Sequence, residues 1–227
     1  MGILSALLFC FIIFHPVIAT NGQYKEFVCL YTQHPVVVDG NLDEWHNAFF
    51  VDIEDEVGET DNTVLIYAMW DAQNLYFAFD VRDKDLQARQ TAQDHSELYL
   101  DDMVEFLLDP LNDKDSCWAQ DDIIYHINIL GQKKDDRGTA NCLTNAQWDG
   151  DAKFAVKTNG SVNEPADIDT GYIVEVSISW GEIRIKPLAG RSIGVNFGNG
   201  DDGRLFDWVN AKPFRSPYAF GNLVLSE

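Results

Sequence analysis

From Asn62 to Trp70 the chain alternates, with Val64, Ile66, Ala68 and Trp70 on one side and Leu65, Tyr67 and Met69 on the other. A period of two marks a β-strand, because successive side chains leave opposite faces of the pleat. The cluster Asp71-Ala72-Gln73-Asn74 supplies turn residues, and residues 75–81 resume the pattern. The pair predicts a hairpin with a four-residue loop. The same reading gives strands over residues 27–31, 35–38, 103–108, 123–130, 154–157, 172–180, 192–197 and 223–225. Several are apolar on both faces, as expected of strands covered on both sides. Helical periodicity is confined to residues 42–48, with Asn41 as a cap, and to a turn or two within 85–93. Many short strands with turn-rich connections predict an all-β fold, a two-sheet antiparallel β-sandwich carrying one or two short helices.

The amino terminus departs from this pattern. Residues 3–14 are an apolar run broken by Pro16, and Val17-Ile18-Ala19 places branched or small residues at the −3 and −1 positions of a cleavage site. That is the layout of a secretory signal peptide cut after Ala19, although no Lys or Arg precedes the run. The run is shorter than the ~20 residues that a membrane-crossing helix needs. The expected organisation is therefore a leader over 1–19 and one domain over 20–227, secreted to the periplasm or the outside.

Charge narrows the partners. The chain has 16 Lys and Arg against 37 Asp and Glu, a net −21, and none of these lies in the first nineteen residues. A surface this acidic repels phosphate backbones and anionic lipid, and suits neutral partners or hard cations such as Ca²⁺. Residues 52–61 hold the densest acidic block and read as a solvated loop able to contribute to a cation site. Cys29, Cys117 and Cys142 match no zinc spacing. Cys117 and Cys142 flank one expected strand and can pair in an oxidising compartment, but with Cys10 in the expected leader the three that remain are odd in number and leave the pairing open.

Catalytic signatures fail on context. Gly190-Arg191-Ser192-Ile193-Gly194 fits the G-x-S-x-G string, yet a nucleophile elbow needs a helix after its serine and a strand follows here. A glycosidase needs two carboxylates facing across a cleft, and among 37 acids some pair always qualifies. No histidine beyond the leader has a second one at zinc-ligand spacing. Residues 109–115 and 198–203 are oxygen-rich loops without EF-hand spacing, read as ordinary turns with structural Ca²⁺ as the alternative.

Several stretches, taken in order, resemble carbohydrate-binding module family 9. They are Val38-Asp39-Gly40-Asn41-Leu42-Asp43-Glu44-Trp45, Trp70-Asp71-Ala72-Gln73-Asn74-Leu75-Tyr76, Asp101-Asp102-Met103-Val104-Glu105-Phe106, Tyr172-Ile173-Val174-Glu175-Val176 and Phe220-Gly221-Asn222-Leu223-Val224-Leu225. The resemblance implies a β-sandwich that binds sugars without cutting them, with structural calcium in some members. It also implies a site that clamps a sugar between two aromatic rings. By alignment, Tyr99 and Phe214 fall at the clamp positions, Glu105 on the polar carboxylate, and His126 and Asn128 where the family uses an arginine and an asparagine.

Strand geometry supports part of this set. Glu105 points opposite to Val104 and Phe106, and His126 and Asn128 share a face opposite Tyr125, Ile127 and Ile129. If the two strands are neighbours, three polar groups gather on one sheet face, as a binding site or as that sheet's solvated side. The expected function is a secreted, non-catalytic carbohydrate-binding protein. The alternatives are a haem- or cofactor-binding subunit using Met103 and His126, a surface interaction protein that has lost sugar binding, and last a glycoside hydrolase.

Overall fold

The computed structural model describes residues 23–53, 62–210 and 215–227. The expected leader, most of the acidic block and Phe214 lie outside the described residues. The strands are β1 (Glu26–Tyr31), β2 (Phe50–Ile53), β3 (Thr63–Trp70), β4 (Asn74–Arg82), β5 (Met103–Asp109), β6 (Ile123–Asn128) and β7 (Lys133–Gly138). They continue with β8 (Thr144–Asn145), β9 (Lys153–Asn159), β10 (Gly171–Ser179), β11 (Ser192–Asp201), β12 (Arg204–Asp207) and β13 (Gly221–Ser226).

Hydrogen bonding runs in the order β8-β7-β6-β5-β11-β13-β1-β3-β4-β10-β9, with β2 on β3 and β12 on β11. One half, β7-β6-β5-β11-β13, packs its inner side chains against those of the other, β3-β4-β10-β9. Phe77 of β4 meets Phe106 of β5 and Phe197 of β11 across the core, at ring separations of 5.4 and 5.1 Å. The core face of β3 is the one its alternation marked: Val64, Ile66, Ala68 and Trp70 are buried.

The pairing is mixed where a purely antiparallel sandwich was expected. β1 runs parallel to β13 along five positions and to β3 at Leu30↔Met69 and Tyr31↔Trp70, so it bridges the two halves at their shared edge. Residues 35–38 join no ladder, whereas residues 50–53, 133–138 and 204–207, none of them among the expected strands, do. The stretch 198–203 is less of a loop than its composition suggests, because β11 continues to Asp201.

Neither expected α-helix forms. Residues 42–48 yield only a 3-10 turn at Trp45–Asn47, capped at Glu44, while Asn41 bonds the Asp39 carboxylate instead. The strap 85–93 is irregular for a visible reason. The N–H groups of Leu86, Gln87, Ala88, Arg89 and Gln90 donate to the side chains of Asp169, Asp102, Asn163 and, for the last two, Asp101. Backbone donors taken by Asp and Asn side chains are lost to a helix. Cys117 and Cys142 are bonded, and Cys29 is buried in the core. Ser192 opens β11, with no helix behind it.

Candidate functional site

β5 and β6 are antiparallel neighbours in the register Glu105↔His126 and Met103↔Asn128. Val104, Phe106, Tyr125 and Ile127 turn into the core, so Glu105, His126 and Asn128 face outward from the sandwich. That face is not solvated. Leu107 and Ile124 on it pack with Phe220 and Trp118, and Glu105, His126 and Asn128 are all buried. The covering residues belong to the segment before β6, tied down by the Cys117–Cys142 bond, and to the approach to β13.

Beneath this cover, Glu105 Oε2 lies 3.1 Å from His126 Nδ1 and accepts a hydrogen bond from Arg215 Nη2 at 3.0 Å. The other oxygen, Oε1, is buried with no partner among the described residues. Burial pushes the Glu105 carboxyl up, but His126 and Arg215 outweigh it and hold the group below the usual carboxylate range. Burial pushes His126 down, and Glu105 only partly offsets that. The cluster is thus an ionised carboxylate beside a neutral imidazole, with Arg215 as the countercharge. Of the three side chains only Arg215 reaches solvent, at 33% exposure against 3% for His126 and none for Glu105.

Space for the carboxylate comes from the strand on the other side. Gly198 of β11 pairs with Glu105, and a Cβ there would stand 2.5 Å from Glu105 Cγ and 2.6 Å from Oε1. Neither Gly198 nor Arg215 was found by sequence reasoning. Arg215 directly follows the expected clamp residue Phe214, which was the one signal for it. Gly198 was hidden in a stretch that looked like a turn.

The other expected residues separate. Asn128 is saturated elsewhere: its Nδ2 donates to Gln90 O and Asp101 Oδ2, and its Oδ1 accepts from Gln132 N. It braces a turn and the strap, two residues along the same face from His126. Tyr99 sits on the 3-10 turn Leu98–Leu100, where buried Leu98 anchors the turn and leaves the Tyr99 ring 45% exposed. Met103 and His126, the expected axial pair of the cofactor alternative, are both buried, and His126 is engaged with Glu105.

Two groups of carboxylates bring oxygens within 4.8 Å of one another: Asp83, Asp102 and Asp201, and Asp109, Asp121 and Asp122. Burial, then the nearby Asp83 charge, pushes Asp102 up to about 8, and burial pushes Asp122 to a similar value. Asp122 Oδ1 is buried without a partner among the described residues.

The sequence profile described as carbohydrate family 9 binding domain-like matches residues 38–227. This chain belongs to that family. As a family 9 domain it is 28% identical, over 199 residues, to endo-1,4-beta-xylanase A of Thermotoga neapolitana, and 27% identical, over 200 residues, to exoglucanase XynX of Acetivibrio thermocellus. Those alignments take in 83% and 84% of this chain but only 17% and 16% of the relatives, so the family 9 domain spans about a sixth of each enzyme. In structure it is similar to a family 9 module from Caldicellulosiruptor kristjanssonii in complex with cellotriose, with a TM-score of 0.65 at 24% identity, covering 89% of this chain and 94% of that one. A Bacteroides uniformis protein to which carbohydrate binding has been ascribed without proof gives a TM-score of 0.69 at 14% identity, over 89% and 100% of the two chains. No helix among the described residues is long and apolar enough to cross a membrane.

Proposed function

We propose that this protein is a secreted, non-catalytic carbohydrate-binding protein whose site is built around Glu105, His126 and Arg215, with Tyr99 supplying an aromatic face. The observation that carries the reading is the Glu105 cluster, in which a buried carboxylate keeps one oxygen unpartnered among the described residues and orients the guanidinium that reaches solvent. A sugar offers hydroxyls that donate to a carboxylate and accept from a guanidinium, and a C–H face that covers an aromatic ring. Family membership supports sugar as the ligand class. The relatives' catalytic activities belong to whole enzymes several times longer than the matched span. The apolar run before Ala19 and the acidic composition support secretion.

Calcium joins the proposal as a structural ion. Asp109, Asp121 and Asp122 supply hard oxygen donors of the kind Ca²⁺ prefers, and Asp122 Oδ1, which has no partner among the described residues, is free to ligate a cation. Asp83, Asp102 and Asp201 form a second such set.

A thermal-shift and calorimetric screen of mono- and oligosaccharides, with and without Ca²⁺, tests the function. A sugar that raises the melting temperature, with the response lost in Tyr99→Ala and Arg215→Ala, is the expected result. Phe214→Ala tests the second clamp position. A second reading, a surface interaction protein that kept the sandwich and lost its sugar, is favoured by the burial of Glu105, His126 and Asn128. It predicts no response to any glycan.

A further inference from the structure

Next to Tyr99 lies a cleft that none of the expected site residues lines. Its walls are the strap 87–90, the turn carrying Leu100, and Asp202 and Gly203 at the tip of the β11–β12 hairpin. Its volume is about 350 Å³, at the small end of the ~300–1,000 Å³ range of ligand pockets.

The cleft is pre-formed. Asp101, buried in its floor, accepts from Arg89 N at 2.8 Å and from Gln90 N at 3.0 Å. Asp102 Oδ2 accepts from Gln87 N at 2.6 Å, and Asn163 holds Ala88 through both its N–H and its carbonyl. With its backbone fixed by side chains, the strap presents Arg89 and Gln90 on a rigid wall. Opposite them stand Glu97 and Asp202, both exposed. Among the described residues, the Arg89 guanidinium forms no ion pair with either carboxylate. Charged groups of both signs therefore surround the cavity without neutralising one another, an arrangement that suits a ligand able to donate and accept on each group.

Asn128 braces the wall of the cleft from the strand that carries His126. Asn128 bonds Asp101 and Gln90 O on the cleft side, and it shares a strand face with His126 two residues away. We propose that this cleft takes a further unit of an uncharged oligosaccharide whose first unit lies against Tyr99 and Arg215, an inference that rests on the function proposed above. Hydroxyls meet Glu97 and Asp202 as donors and Arg89 as acceptors, while Leu100, 44% exposed, offers an apolar patch to the ring C–H groups. The surplus of carboxylates over the single guanidinium turns uronates away.

Calorimetry on the full secreted chain with glucose, cellotriose and trigalacturonate tests the inference, using wild type and the surface variants Arg89→Ala and Glu97→Gln. Cellotriose is expected to bind about tenfold tighter than glucose, as one or two charge-assisted hydrogen bonds provide. Each variant should remove most of that advantage and leave glucose affinity within about twofold. Equal affinity for glucose and cellotriose, or cellotriose binding untouched by both variants, overturns the cleft and leaves the proposed function standing. Equal losses for both sugars overturn it as a second subsite, and preference for trigalacturonate overturns the charge argument. Absence of any sugar response strikes the proposed function itself and takes the cleft down with it.

Discussion

Two glutamates, Glu105 on β5 and Glu175 on β10, are fully buried, one in each half of the sandwich. Both face outward from the core, and both are covered by chain folding back over their sheet. Their partners differ in kind. Glu175 accepts from Asp39 N at 2.8 Å, Gly40 N at 2.7 Å and Trp45 Nε1 at 2.7 Å, three neutral donors that use both oxygens. Glu105 meets an imidazole and a guanidinium on one oxygen and leaves the other unpartnered among the described residues. A carboxylate saturated by neutral N–H groups is a fastener, and here it pins the segment 39–45 to the sheet. A carboxylate held by titratable and cationic groups, with acceptor capacity to spare, is available for chemistry.

Removing each glutamate separates the two roles. Glu175→Ala leaves three donors without their acceptor and frees Trp45, a buried ring, from its anchor. The expected cost is about 3–5 kcal/mol, or a fall of roughly 10 °C in melting temperature for a domain of this size. Thermal denaturation checks it, and a fall of only a degree or two breaks the comparison on the structural side.

Asp122 represents a third kind of buried carboxylate: one oxygen accepts from Ala119 N, and the other meets neither an N–H group nor a cation among the described residues. Adding a chelator should therefore lower the melting temperature while excess Ca²⁺ restores it. The loss is about 2.7 kcal/mol if the ion is normally present at a hundred times its dissociation constant. Asp122→Asn should blunt the response. A melting curve indifferent to chelator removes calcium from the proposal and leaves the glutamate comparison intact.

Glu105→Gln keeps the shape and removes the charge that holds Arg215. Sugar affinity should fall about tenfold, near 1.4 kcal/mol, with a smaller effect on stability than Glu175→Ala. Titration of both variants with the best ligand of the screen gives the ratio. If Glu175→Ala, once folded, loses as much affinity as Glu105→Gln, the two sites are not functionally distinct.

How much of this was legible beforehand follows from which interactions are local. Alternation in β3, β4 and β10 reflects burial of one face, and burial writes itself into the sequence; those strands emerged with near-correct ends. Glu105 and His126 were legible as face-mates for the same reason. Arg215 was not, because it meets Glu105 across 110 residues of chain and no period announces such a contact. The strap 85–93 misled because its helical spacing is real, while the side chains that claim its N–H groups lie beyond helical range, Asp101 and Asp102 at 11 to 15 residues and Asn163 and Asp169 at 75 and 83. Asn128 was correctly placed on its face and yet joins Asp101 instead of Glu105, a choice made by the turn at Gln132. The parallel placement of β1 likewise depends on which edge is left open when the two halves close.

The smallest expected effect is also the one that reads the Glu105 cluster without any ligand. His126 titrates below its ordinary value because burial disfavours the imidazolium more than Glu105 favours it. On acidification the unfolded chain therefore takes up a proton near pH 6.5, its unperturbed value, before the folded protein does. Stability from this group is complete above that pH and is lost as pH falls toward the folded value. Its slope cannot exceed about 1.4 kcal/mol per pH unit for one proton. Glu105, also held below its ordinary value, adds a loss of the same sign, beginning near its own unperturbed pKa of about 4.3. Asp102 and Asp122, pushed up to about 8, act in the opposite direction, so the informative quantity is the difference between wild type and His126→Asn in denaturant melts from pH 7.5 to 5. The two curves should converge as the pH falls below 6.5, because the wild type loses a contribution that the variant never had. Parallel curves would mean that His126 is no more buried from protons than a surface histidine, and the neutral-imidazole description of the cluster would fall.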